Sequence, residues 1–376
     1  MTTATIASQP QSAAVPTPPC VPVRLAALDA FRGWTMFWIV GGGSLMVGLR
    51  ALGHNQIMDC VVTQLAHTPW QGLRYLDLIW PSFMLMTGMS LPFSYAKQSL
   101  TKTHAQITLK VLRRVVVLIL LGSLRQSLHY DRFYLVELSS ALQPIAIAYL
   151  VAFLIVRRSW RFQALVGAAI LLGYALLLAF VPAAGVPTGS YRMGTNLVTA
   201  VDIAVLGRAA PDGWGTVLST IPTIATTILG LLLGRLLLSN RPPWGKALII
   251  VLVGVSCLAL GLALDPVVPI IMKIWTTSYG LVSAGWACLM FLPFYLLCDV
   301  WGYRKWAFPL VVIGMNALAI YMAQSLVPIH KIVYLYTTAA ATAAGAYGPL
   351  LQAVAVLAVE WLILYWMYNR KIFLTA

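Results

Sequence analysis

The sequence predicts an all-α fold, a polytopic transmembrane helical bundle of about ten spans (ten or eleven), with both termini in the cytoplasm. Three observations lead there. Only 9% of the 376 residues are charged and 60% are hydrophobic, whereas soluble domains carry about 25% charged residues because their surfaces face water. With a mean hydropathy of +0.84, the chain needs lipid as its solvent. Apolar blocks recur along almost its whole length, and the basic residues divide unevenly between the two sets of block ends.

Residues 1–23 are rich in Pro, Ala, Ser and Thr and contain no apolar core. They read as a disordered cytoplasmic tail and not as a signal peptide. Residues 24–376 then form a single domain. Its apolar blocks fall at 26–52, 73–96, 110–129, 135–156, 162–182, 216–238, 246–264, 279–300, 307–328 and 347–368. Each is long enough for a tilted helix, and none shows the period-2 alternation of a barrel strand. Pro92, Pro144, Pro222, Pro293 and Pro328 lie inside or at the ends of blocks, a placement that bundled membrane helices tolerate.

With the N-terminus inside and alternating spans, 17 of the 25 basic residues fall at cytoplasmic ends, as the positive-inside rule requires for a multi-pass protein of the inner membrane. The net charge of +15 is therefore a topology signal scattered over short loops, not a nucleic-acid surface. The five cysteines show no paired spacing. No phosphate-binding loop, dinucleotide fingerprint, His-Glu-x-x-His or Cys/His cluster is present, so no metal is expected.

Ionisable groups in or beside spans are functional candidates, because lipid penalises them. Asp77 lies five residues into the second block, and His67 precedes it by ten. A loop histidine that folds back onto a carboxylate becomes an oriented general base. The alternative is an interfacial His67 with Asp77 capping or pairing with Arg74. Asp29 and Arg32, three apart, form a pair within the first helix; Arg32 could also meet an anion from the cytoplasm. Gln143 and Asn316 are amides in apolar helices, where bonding to a neighbouring helix is the common role. Arg113 and Arg114 serve either topology and lipid headgroups or a phosphate clamp. Two long outer loops, 53–72 and 183–215, collect the remaining polar groups, among them Asn196 and Asp202.

Several segments keep unusual residues at fixed spacing. Leu28-Asp29-Ala-Phe-Arg32-Gly33 opens the first helix. His67-Thr-Pro-Trp70-Gln-Gly72-Leu-Arg-Tyr-Leu-Asp77-Leu-Ile-Trp-Pro81 is the most specific. Then follow Leu142-Gln143, Leu218-Ser219-Thr-Ile-Pro222, Lys273-Ile-Trp275-Thr-Thr-Ser278 and Gly314-Met-Asn316-Ala-Leu. In this order they resemble the heparan-α-glucosaminide N-acetyltransferase family and its bacterial transmembrane acyltransferase branch, over about residues 24–370. Three positions differ from the family pattern: Pro144 replaces an arginine, Ile271 and Met272 replace Asn-Lys, and Gly41 or Gly42 replaces an asparagine.

The resemblance implies transfer of an acetyl group from cytoplasmic acetyl-CoA to a sugar amine on the far side. His67 is then the central catalytic residue and Asp77 orients it, with either direct transfer or a transient acetyl-histidine. Arg32, Arg113, Arg114 and Asn316 become the cofactor side, and Trp70, Asn196, Ser219, Lys273 and Trp275 the acceptor side. The partners so implied are acetyl-CoA, a sugar acceptor and the lipid bilayer, with a homodimer compatible and nucleic acid excluded. Two alternatives stay open: an amino-sugar or oligosaccharide permease, and an O-acyltransferase acting on an envelope glycan.

Overall fold

The computed structural model describes residues 25–374 except 54, 132, 134–137 and 139. The expected tail, together with Arg24, His54, Arg132 and Glu137, lies outside the described residues. Among those described, the chain is almost entirely helical.

The helix α1 (Ala26–Arg50) starts where the Asp299 carboxylate accepts the Ala26 and Ala27 N–H groups at 3.2 and 3.0 Å. A buried anion at a helix N-terminus satisfies orphan donors and complements the dipole. A short α2 (Gln56–Gln64), capped by Asn55, occupies the first long loop. The second apolar block becomes helical later than the sequence suggests. Residues Tyr75–Leu78 form one 3-10 turn, and α3 begins only at Ile79, running to Ser99. Asp77 therefore lies ahead of the helix and not five residues inside a span.

A reciprocal Thr103–Gln106 cap starts α4 (His104–Tyr130). Next is α5 (Leu142–Leu154), shorter than the 135–156 block. Gln143 donates to Ser123 of α4 at 3.0 Å, the interhelical role that amides take in bundles. Ser159 caps α6 (Trp160–Phe180). The second long loop is ordered by a hairpin, β1 (Tyr191–Arg192) with β2 (Thr195–Asn196), and by α7 (Leu197–Leu206). Then come α8 (Thr220–Leu238), α9 (Pro243–Leu264) and α10 (Thr277–Phe294), the last prolonged by a π turn over Tyr295–Val300. The ninth block is two helices, α11 (Phe308–Met315) and α12 (Ala317–Leu326), bent by 55° at Asn316. An amphipathic α13 (Ile329–Ala343), not foreseen from the apolar blocks, precedes α14 (Gly348–Asn369).

Among the described residues, five helices are long and apolar enough to cross a membrane, or six if the bent pair counts as one span. Each of the ten apolar blocks contains a helix. The difference has a local cause: α1 and α4 carry charges, α3 is rich in Ser, Thr and Pro, and α5 has 13 residues.

Packing is closest where glycines face backbone. A Cβ on Gly230 would overlap the Leu85 carbonyl, one on Gly234 the Met89 carbonyl, and one on Gly88 the Thr227 carbonyl. Gly230 and Gly234 are a Gly-x-x-x-Gly pair, the spacing that brings membrane helices into backbone contact. Gly33 and Gly314 do the same for α1 and α11, each against the other helix's backbone.

Helix ends gather at two faces. Asp299 and the start of α1 share one, and Arg235 of α8 donates to the Arg158 carbonyl after α5 at that same end. At the other, Gly72 N–H donates to Ile270, Gly215 N–H to Lys273, and the Tyr279 hydroxyl to the Asp77 carbonyl. Asp202 of α7 braces this face, accepting the Thr216 and Val217 N–H groups at 2.9 and 3.0 Å. Burial pushes its carboxyl above the ordinary range against those two bonds. Asp202→Ala frees both donors and should cost about 1–2 kcal/mol, read as a lower thermal midpoint in detergent.

Candidate active site

The segment before α3 is folded around one carboxylate. Gly72, at φ +111°, turns the chain so that residues 67–74 wrap over the 3-10 turn. Asp77, 1% exposed, then accepts four hydrogen bonds. His67 Nδ1 lies 2.8 Å from Oδ1, while Thr68 Oγ1, Thr68 N and Arg74 N lie 2.6, 3.3 and 3.0 Å from Oδ2. Both readings of Asp77 are realised: it caps the turn through the Arg74 N–H and also pairs with His67. The Arg74 guanidinium turns instead to the His67 carbonyl, at 2.9 Å.

Burial works against the Asp77 carboxylate, but the bonds from His67, Thr68 and Arg74 outweigh it and hold its pKa below the ordinary 3.8. A depressed folded pKa means that the stabilisation is present above the ordinary value and is lost only as pH falls through the folded one. Asp77 is thus ionised at neutral pH. Because a carboxylate only accepts, His67 carries its proton on Nδ1, an assignment made from this network. The Nε2 lone pair is left without a hydrogen bond from any described residue. The ring is half exposed and stands edge-on to Trp214, with centroids 5.9 Å apart. Trp80 packs behind Trp214, and Trp275, at φ +48°, packs behind Trp80.

His67 and Asp77 open onto a cavity of about 1470 Å³ that continues down the bundle, above the roughly 300–1,000 Å³ of common small-molecule sites. It follows one face of α3 through Ile79, Phe83, Thr87, Ser90 and Ser94. Fifteen residues at ~1.5 Å each make about 22 Å, most of a hydrocarbon core. Arg32 of α1 and Arg114 of α4 line it toward the opposite face. Arg32 pairs with Asp29 at 3.7 Å, and the Arg114 guanidinium lies 4.7 Å over the Tyr149 ring.

Of the eleven sequence-predicted site residues, the structure brings four to this cavity: His67, Asp77, Arg32 and Arg114. The others stand elsewhere. Arg113 is exposed, on the side of α4 turned away from the cavity. Asn316 is fully buried and tethers the C-terminal segment, donating to the Ile372 carbonyl and accepting the Leu374 N–H, both at 3.1 Å. The Trp70 indole donates to the Tyr191 carbonyl at 2.8 Å. Asn196 caps α7 by accepting the Thr199 N–H. The Ser219 hydroxyl returns to the Thr216 carbonyl. Lys273 donates to the Asp212 carbonyl and lies 6.0 Å over Trp214. Trp275 is part of the wall behind Trp80. Trp70, Asn196, Ser219, Lys273 and Trp275 thus build the face of the bundle around His67, Arg113 and Asn316 stand away from it, and none of the seven lines the cavity.

Sequence reasoning missed Trp80, Arg125, Arg208 and Trp214, all of which line the cavity. For Arg125 a signal existed: it follows Arg114 by eleven residues, three helical turns, and so shares its face. Among the described residues no group of three or more His, Cys, Asp or Glu side chains could hold a metal ion. No known family model matches the chain, and no characterised relative matches it.

Proposed function

We propose that the chain is a membrane-embedded acyltransferase of the inner membrane. In this reading ten spans leave both termini in the cytoplasm, and an acetyl group passes from cytoplasmic acetyl-CoA to an amino sugar at the outer face. The observation that carries it is one continuous cavity with an oriented imidazole at one end and Arg32 and Arg114 at the other. The resemblance of the His67–Pro81 segment to transmembrane N-acetyltransferases points the same way.

The chemistry follows from the geometry. Arg32 and Arg114 hold donor phosphates through charge-assisted hydrogen bonds, and the extended pantetheine arm lies along α3. At the outer end His67 Nε2 takes a proton from the acceptor nitrogen as that nitrogen attacks the thioester carbonyl. The C–N bond forms and the C–S bond breaks. The departing sulfur collects the proton from Nε2, and Asp77 keeps the imidazole in the required tautomer throughout.

Binding of acetyl-CoA to the purified protein in detergent, followed by transfer of labelled acetyl to glucosamine-type acceptors, tests the reading. Binding that weakens tenfold or more in Arg114→Gln is the expected result; no binding at millimolar ligand overturns it. Asp77→Asn leaves one acceptor oxygen where the carboxylate offers two to four donors, and puts an NH2 group in place of the other. It should slow transfer by at least about 10²-fold while acetyl-CoA binding persists, as single-turnover measurements on both proteins can show. A cavity reaching both faces also suits a permease. Uptake of an amino sugar into proteoliposomes without acetyl-CoA, unchanged in His67→Ala, is the outcome that favours it.

A further inference from the structure

The chain does not leave the bundle where α14 ends. At Asn369 that helix closes beside the start of α11, with the Tyr368 ring 5.7 Å from the Phe308 ring. Lys371, at φ +56°, then takes the backbone through the left-handed region, a conformation that costs a non-glycine residue energy. The turn reverses the chain. The Ile372 N–H donates to the Met367 carbonyl at 2.9 Å, and the Phe373 ring returns to within 6.5 Å of Tyr368. Asn316 receives the returning segment. It lies at the bend between α11 and α12, eight residues beyond Phe308, about 12 Å at ~1.5 Å per residue. Both sides of its amide are spent there: Nδ2 donates to the Ile372 carbonyl and Oδ1 accepts the Leu374 N–H, each at 3.1 Å.

This fold-back puts Leu374 in the cavity wall, together with Met36, Gly314 and Met315. Gly314 packs on the backbone of Asp29 and Gly33, on either side of Arg32. Leu374 thus stands at the end of the cavity that the donor phosphates would use. The segment is held lightly. Ile372, Phe373 and Leu374 all keep exposed apolar side chains, and two neutral amide hydrogen bonds bias a closed state by only roughly thirtyfold. Segments with few buried contacts open at little cost.

We infer that Lys371–Leu374 is a strap that occupies the donor's end of the cavity, with Asn316 as its latch, and that acetyl-CoA binds only after the strap lets go. The acyltransferase reading supplies the identity of the donor, whereas the strap's hold on the cavity stands without it. A state that is competent only when open has its apparent affinity cut by the open fraction. Loosening the latch therefore tightens donor binding, the opposite of what removing a residue that touches the donor would do.

Two variants of the full-length protein test this. Leu374→Pro removes the N–H that Asn316 holds and, lying beyond α14, leaves every helix sequence unchanged. Asn316→Ala removes both bonds. Equilibrium binding of acetyl-CoA in detergent should tighten threefold or more in Leu374→Pro and further in Asn316→Ala. The second readout needs no donor. Ser90→Cys places a thiol on the α3 wall of the cavity, to be labelled by a membrane-impermeant reagent supplied from the Arg32 face of the reconstituted protein. Its labelling rate, above that of protein without the added thiol, should rise threefold or more when Leu374→Pro is combined with it. Where the wild type binds acetyl-CoA, an affinity that is unchanged or weaker in Leu374→Pro overturns the inference. So does an unchanged labelling rate. If Asn316→Ala does not fold, Leu374→Pro decides alone. Faster labelling with no acetyl-CoA binding to any of the proteins removes the acyltransferase reading, and the donor's competition with it, while the strap stands.

Discussion

His67→Ala should reduce acetyl transfer by roughly 10²–10⁴-fold while leaving acetyl-CoA affinity within about threefold of wild type, a change of well under 1 kcal/mol. The split between rate and binding is the informative part. His67 sits on a loop before α3, and among the described residues its side chain hydrogen-bonds to Asp77 alone. Removing the ring deletes the Nε2 lone pair but leaves Thr68 and the Arg74 N–H on the carboxylate, so the turn and the cavity wall persist. Single-turnover rates and equilibrium binding on the same preparation check this. A transfer rate within tenfold of wild type contradicts a general-base role. If the reaction instead passes through an acetyl-histidine, rapid quench of wild type without acceptor traps labelled protein, and His67→Ala traps none.

The second large effect is on the scaffold. Gly230→Val forces a branched side chain into the Leu85 carbonyl, a backbone atom that can retreat only if α3 and α8 separate. Overpacking at such a site should cost about 3 kcal/mol, the upper end of its usual range, and should shift the α3 face that lines the cavity. Gly173→Val on α6, where a Cβ meets nothing within 4 Å, is the matched control. Thermal midpoints in detergent should fall clearly for Gly230→Val and little for Gly173→Val. Equal falls would mean that α3 and α8 are not in the close contact described.

How far the sequence foretold this arrangement depends on the kind of residue. Long apolar runs announce helices, since lipid and helix packing both demand them, and each of the ten runs holds one. Asp77 and His67 were readable because a carboxylate at the mouth of an apolar run has few bland uses, and Gly72 permits the return of the loop. Asn316, Asn196 and Ser219 show the reverse. Each is polar at a conspicuous position, yet its side chain is used on backbone groups: the C-terminal segment, the start of α7 and the Thr216 carbonyl. Helix ends and kinks leave unpaired backbone atoms, and which polar side chain serves them depends on tertiary placement that spacing does not reveal. Arg113 and Arg114 are adjacent in sequence but about 100° apart around α4, so only one can face the cavity. The bend at Asn316 escaped because a broken span keeps one continuous apolar run, and α13 escaped because its apolar stripe alternates with polar residues and so forms no unbroken apolar block.

In the proposed reaction the cavity joins a donor at one face to an acceptor at the other. Purified protein reconstituted in one orientation, with labelled acetyl-CoA on the Arg32 side and an amino sugar on the His67 side, measures that. Labelled N-acetyl sugar should accumulate on the His67 side, depend on that sidedness and vanish in His67→Ala. Product formed only when both substrates share one compartment, or transfer undiminished in His67→Ala, would contradict it.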